Sequence, residues 1–121
     1  MAHRRILSFK YAFDGIWLAF KEEPNLKFHF FAAILAIFLG LYFQISRTDW
    51  TMLIIMICLV ISVELTNTAI ETVVDSFVSS IHPGAKKAKD VSAGAVLIIS
   101  LAALAVGIYI FLPYVRTFLR L

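Results

Sequence analysis

Polar and apolar positions divide the chain into four stretches. In residues 4–22, Ile6, Phe9, Phe13, Ile16, Trp17 and Phe20 recur at helical period, within roughly 100° of arc. Arg4, Ser8, Tyr11, Asp14, Gly15 and Lys21 lie elsewhere on the wheel. Aromatic residues on one face and basic residues off it predict an amphipathic helix lying in a membrane interface. The other reading is a helix on the soluble side, packed on a partner protein. Glu22, Glu23, Pro24 and Asn25 end this helix, and Pro24 suits the first turn of the next. Three apolar runs follow, at about 26–43, 50–78 and 90–114, in the length range of transmembrane helices. The second opens on Trp50, an interface-type anchor, and has no charged residue before Glu64. The third opens on Ser92, Ala93, Gly94 and Ala95, small residues that let helices approach closely. Residues 46–49 read as a short turn with Asp49 as the helix cap. Residues 79–90, SSIHPGAKKAKD, read as a basic loop broken at Pro83 and Gly84.

Composition fits this pattern. Of 121 residues, 61% are hydrophobic and 16% charged, where a soluble domain carries roughly 25% charged residues. The expectation is an all-α integral membrane protein, one domain over residues 1–121, with no internal repeat and no nucleic-acid partner. Disorder is excluded. A single cysteine, Cys58, excludes a disulfide framework. The N-terminus is basic, but no apolar signal-peptide core follows it. Net charge is only +3, and its placement matters more. Arg4, Arg5, Lys10, Lys21 and Lys27 precede or enter the first span, and Lys86, Lys87 and Lys89 follow the second. Only Arg47 lies between the first two. The positive-inside rule then predicts a cytoplasmic N-terminus and a cytoplasmic second loop. Arg116 and Arg120, outside, are a mild breach.

The expensive feature is residues 63–75, VELTNTAIETVVD. Glu64, Asn67, Glu71 and Asp75 fall within roughly 80° of one another on a helix. A carboxylate at membrane depth costs about 2.5 kcal/mol or more. Glu64 lies about 20 Å from Trp50 at 1.5 Å per residue, inside a hydrocarbon core of about 30 Å or near its far edge. Glu71 and Asp75 lie nearer the cytoplasm. A rim of carboxylates and lysines could hold Mg²⁺ with a polyphosphate, and Glu64 could take a proton from a lipid hydroxyl. That arrangement fits γ-phosphoryl transfer to a membrane alcohol. Two other readings stay open from the residues alone. Glu64 could be a proton or cation site of a small transporter, or an inter-helix contact satisfied by Asn67 or Thr68. P-loop and protein-kinase glycine motifs are absent. His29 reads as an interface residue, Asp75 as a helix-end or inter-helix contact, and Lys86 and Lys87 as a solvated pair.

VELTNTAIETVVD followed by AKDVSAGAVLI resembles the signature of the small prokaryotic diacylglycerol kinases, and the likeness covers nearly the whole chain. The resemblance implies a surface helix with three transmembrane helices, a homotrimer with active sites between subunits, and a bacterial cytoplasmic (inner) membrane location. It implies ATP and Mg²⁺, with membrane lipids as surroundings. By position, Glu64 matches the catalytic base, Glu23 and Glu71 the metal-binding carboxylates, and Asn67 the active-site asparagine. Lys89 and Asp90 match the pair that contacts nucleotide phosphates and organises the site. Arg4, Tyr11 and His82 match nucleotide-binding positions. Ser80 stands where some members carry an acidic residue. Glu23-x-Asn25-x-Lys27-x-His29 and residues 82–86, HPGAK, look more like the undecaprenol kinase branch than the diacylglycerol branch. Undecaprenol is therefore the expected acceptor, with diacylglycerol as the alternative.

Overall fold

The computed structural model describes the backbone of residues 2–121 and the side chains of residues 7–121. Four helices follow one another: α1 (Ala2–Glu22), α2 (Pro24–Phe43), α3 (Arg47–Phe77) and α4 (Pro83–Leu119). No strand occurs among the described residues. The last three are each long and apolar enough to cross a membrane. At 1.5 Å per residue, the 31 residues of α3 span about 46 Å. The 37 residues of α4 span about 55 Å. Both exceed a hydrocarbon core of about 30 Å, so their ends project beyond it as helix.

That projection corrects the expected second loop. Only residues 78–82 are non-helical, and α4 begins at Pro83 instead of near residue 90. Ala85, Lys86, Lys87, Ala88 and Lys89 interrupt the apolar run, yet all are strong helix formers. The start is pinned by Pro83 in the first turn and by His82, whose Nδ1 accepts from Gly84 N–H at 3.0 Å. At the other end, Pro113 does not stop the helix, which runs on to Leu119. Thr117 Oγ1 donates to the Pro113 carbonyl at 3.0 Å.

The α2–α3 turn is tight. Gln44 takes a left-handed conformation (φ 51°), and its N–H turns back to the carbonyls of Gly40 and Leu41. Gly40 has a steric reason to be glycine. A Cβ there would lie 2.9 Å from the Trp50 ring, which folds over α2. Ser46, not Asp49, caps α3: its Oγ accepts from Asp49 N–H at 3.1 Å. Asp49 instead gathers two donors, Ser46 Oγ and the Tyr114 hydroxyl, each at 2.8 Å. Tyr114 Oη in turn accepts from Ser46 N–H at 3.1 Å. The cap therefore fastens this turn to the far part of α4. Beneath it lies a core of Ile45, Leu53 and Ile110, flanked by Phe43, Trp50 and Phe111.

Packing is otherwise thin. α3 lies chiefly against α4, then α2. α1 joins α2 through Phe20 edge-on to Phe30, with ring centroids 5.2 Å apart, and leaves Phe9, Phe13 and Trp17 outward. The chain exposes 9350 Å², whereas a compact monomer of 13.6 kDa would expose roughly 6,600 Å². The excess is apolar helix face, including Phe31, Phe38, Ile98 and Leu101. Such faces are stable only against lipid or other protein.

Removing one hydroxyl should loosen the outer clamp. Tyr114→Phe leaves Ser46 N–H and one Asp49 bond unmet, a loss of about 1 kcal/mol. Thermal unfolding in detergent should show a lower midpoint than wild type, and an unchanged midpoint would mean the clamp carries no stability.

Candidate functional site

The polar stripe on α3 grades from interior to surface. Glu64 and Asn67 are buried, at 2% and 7% exposure. Glu71 is partly buried and Asp75 exposed. The gradient runs along α3 from its middle, packed between α2 and α4, to its last turns, which lead into the α3–α4 turn.

Folding the α3–α4 hairpin about residues 78–82 brings two polar pairings together across the turn. Ser92 Oγ lies 2.7 Å from Asn67 Oδ1 and 3.0 Å from the Lys89 carbonyl, its single proton shared between two acceptors. This bond fixes the Asn67 amide and leaves its NH₂ as the outward donor. Lys89 Nζ reaches both carboxylate oxygens of Asp75, at 2.9 and 3.2 Å. Asp90 pairs instead with Lys86, one turn earlier on α4. Lys89 and Asp90 are thus neighbours in sequence that serve different partners, as expected for residues about 100° apart on a helix. Both ion pairs are largely open to solvent, so solvent and salt screen them and each contributes little. A polyphosphate could displace either at little cost.

Glu64 is different. Its Oε2 is buried and has no hydrogen-bond partner among the described residues. The structural reading, in which Asn67 or Thr68 satisfies Glu64, finds no such bond at this oxygen. An unmet buried acceptor costs about 1–3 kcal/mol, and more if charged. Three titratable groups act electrostatically on its carboxylate: His29 from α2, Glu71 from α3, and Glu23 from the α1–α2 junction. Glu23 is the N-cap of α2, at φ −100° and ψ 111°, yet its side chain makes no capping bond. Its carboxylate remains available to the site. Glu23 and Glu71 offer oxygen donors, the kind a Mg²⁺ ion takes in ones and twos alongside phosphate oxygens and water. Among the described residues no group of three or more His, Cys, Asp or Glu side chains is gathered to cage a metal. The donor set fits a cation that arrives with a phosphate ligand.

The remaining expected positions stand further off. Tyr11 is exposed on α1. His82 is exposed at the start of α4 with its Nδ1 committed to Gly84. The side chain of Arg4 lies outside the described residues. Sequence reasoning missed Ser92 as the partner of Asn67 because it read only as a small residue at a helix start. Pairing residues across the centre of the hairpin turn would have found it. Reasoning also passed over His29, which on a single helix wheel gives no sign of facing Glu64. Next to this cluster, α2, α3 and α4 enclose a 510 Å³ apolar groove. His29 and Ser100 are among its few polar linings, and Ser100 Oγ is buried without a partner.

Comparison with known proteins adds a second line. A family model described as prokaryotic diacylglycerol kinase matches residues 10–111. The chain is 39% identical over 111 residues to an undecaprenol kinase of Bacillus subtilis, covering 92% of this chain and 90% of that protein. It is 39% identical over 114 residues to a diacylglycerol kinase of Synechocystis, covering 93% of this chain and 65% of that protein. Against the diacylglycerol kinase of Escherichia coli the identity is 32% over 93 residues, covering 77% and 76%.

The two kinds of pairing should respond differently to substitution. Ser92→Ala strands Asn67 in a buried position and should cost about 1–3 kcal/mol. Asp75→Asn, at a solvent-open pair, should cost less than Ser92→Ala. Thermal unfolding of both variants in one detergent checks the order; a larger loss at Asp75 would contradict it.

Proposed function

The chain belongs to the prokaryotic diacylglycerol kinase family and is a lipid kinase, and from that premise we propose that it phosphorylates undecaprenol, with ATP as donor and Mg²⁺ as metal. The observation that carries the choice of acceptor is the match to the undecaprenol kinase over nearly the full length of both chains. The sequence forms at residues 23–29 and 82–86 favour the same branch. Diacylglycerol is the alternative acceptor. A proton or cation transporter gives no reason for Glu23, Lys89 and Asp90 to take family positions.

In this reading Glu64 is the general base. Its carboxylate accepts the proton of the lipid hydroxyl, the alcohol oxygen bonds to the γ-phosphorus, and the bond from that phosphorus to the ADP oxygen breaks. The carboxylate, for which the described residues supply no hydrogen-bond donor at Oε2, supports this role, since a base must keep at least one oxygen free for its substrate. Glu23 and Glu71 would hold the cation, which when bound neutralises charge on the polyphosphate. Lys89 leaves Asp75 for the phosphate oxygens, and Asp90 organises the same rim. Asn67, held by Ser92, presents its NH₂ toward the reacting groups. Arg4, Tyr11 and His82 contribute to nucleotide binding.

The assembly is a homotrimer with active sites shared between subunits. The bare apolar faces and the thin single-chain enclosure of Glu64 support this. The N-terminus and the α3–α4 turn face the cytoplasm of a bacterial cell, α1 lies on the membrane surface, and the protein is multi-pass in the cytoplasmic (inner) membrane.

Purified protein in lipid vesicles, supplied with ATP, Mg²⁺ and either undecaprenol or diacylglycerol, tests the acceptor. Undecaprenol should be the better substrate by about tenfold or more in kcat/KM. A preference for diacylglycerol would reverse the assignment, and no lipid phosphate from either would remove it. Glu71→Gln should raise the Mg²⁺ concentration needed for half-maximal rate and lower the rate about a hundredfold. An unchanged Mg²⁺ dependence would contradict the metal role.

A further inference from the structure

His29 is the one titratable group near Glu64 that the mechanism above does not use. Its placement follows from the register of α2 on α3. Gly40 lies against Trp50. Running back along α2 and forward along α3 by equal steps brings His29 level with Ile61, and both line the apolar groove. Glu64 is three residues beyond Ile61, about 4.5 Å along the axis. The His29 ring is partly buried, edge-on to Phe28 at 5.6 Å between centroids. It makes no hydrogen bond among the described residues. The site therefore holds an unused ring N–H on one helix and a buried carboxylate oxygen without a donor on the next.

We propose that His29 is a positioning residue for Glu64, donating a ring N–H to its carboxylate and holding the base toward the groove. The inference rests on Glu64 being the base, as proposed above. An imidazole carries at least one N–H in either charge state, so the donor role does not require a particular protonation. Glu64 needs one. The other titratable groups that act on it, Glu23 and Glu71, are both acidic, and the polar side chain that α4 contributes to this groove is Ser100. The other N–H-bearing side chain nearby is that of Asn67, whose NH₂ the mechanism assigns to the reacting groups, which leaves His29 as the donor for the base. With one carboxylate oxygen held by His29, the other is left for the substrate hydroxyl. His29 touches the base and not the reacting atoms, which makes it a positioning group.

Two variants and two readouts test this. His29→Leu removes the donor, and His29→Gln keeps an N–H donor without the ring. His29→Leu should lower kcat for lipid phosphorylation about ten- to a hundredfold, with the KM for ATP changed less than about threefold. His29→Gln should recover most of that loss. The second readout needs no turnover. N,N′-dicyclohexylcarbodiimide labels protonated carboxyl groups in apolar surroundings, and mass spectrometry locates the label. Glu64 labelling should rise about threefold or more in His29→Leu and stay near wild type in His29→Gln. Unchanged labelling in His29→Leu would overturn the proposal, as would equal kinetic losses in the two variants. If wild type made no lipid phosphate while labelling still shifted, the contact would stand and the assignment of Glu64 as base would fall.

Discussion

A carboxylate in an apolar environment must be enclosed by protein, and that constraint on Glu64 organises the chain. Placing Glu64 in the middle of α3 obliges α2 and α4 to cover it. Each covering helix is fixed by its own device. Gly40 lets Trp50 close over α2, and the Ser46–Asp49–Tyr114 clamp ties the same end to α4. At the opposite end Ser92 meets Asn67 and Lys89 meets Asp75. The α3–α4 hairpin is thus pinned at both ends, with Glu64 between the pins.

One chain covers Glu64 but little else. The helices that shield it leave most of their own apolar surface bare, and a membrane or further copies of the chain must cover that surface. The division of labour along α3 follows from depth. Groups proposed to handle a water-soluble polyphosphate stand at the exposed end, in solvent-open ion pairs. The group proposed to handle a lipid hydroxyl stands inside, beside an apolar groove.

Much of this was legible in the sequence. Apolar runs interrupted by Pro24, the 46–49 turn and Pro83 gave four helices close to those observed. The spacing of Glu64, Asn67, Glu71 and Asp75 gave one stripe. What escaped were features set by contact between helices. The basic segment after Pro83 was read as loop because charge ended the apolar run, although alanine and lysine favour helix. Asp49 was taken as the cap, but Ser46, one turn earlier, had the same chemistry and the better position. The pairing of Ser92 with Asn67 was invisible, since it forms across a helix pair, and His29, read as an interface residue, gave no sign on its own helix of the electrostatic contact with Glu64.

Glu64 is proposed to stay buried with one carboxylate oxygen open so that it can take a proton from the lipid alcohol. The direct test is Glu64→Gln, measured in the same membranes for ATP–Mg²⁺ binding and for lipid phosphorylation. Binding should stay within about threefold of wild type and transfer should fall by about a thousandfold or more. A parallel loss of binding and transfer would instead make Glu64 a structural residue and rule it out as the base.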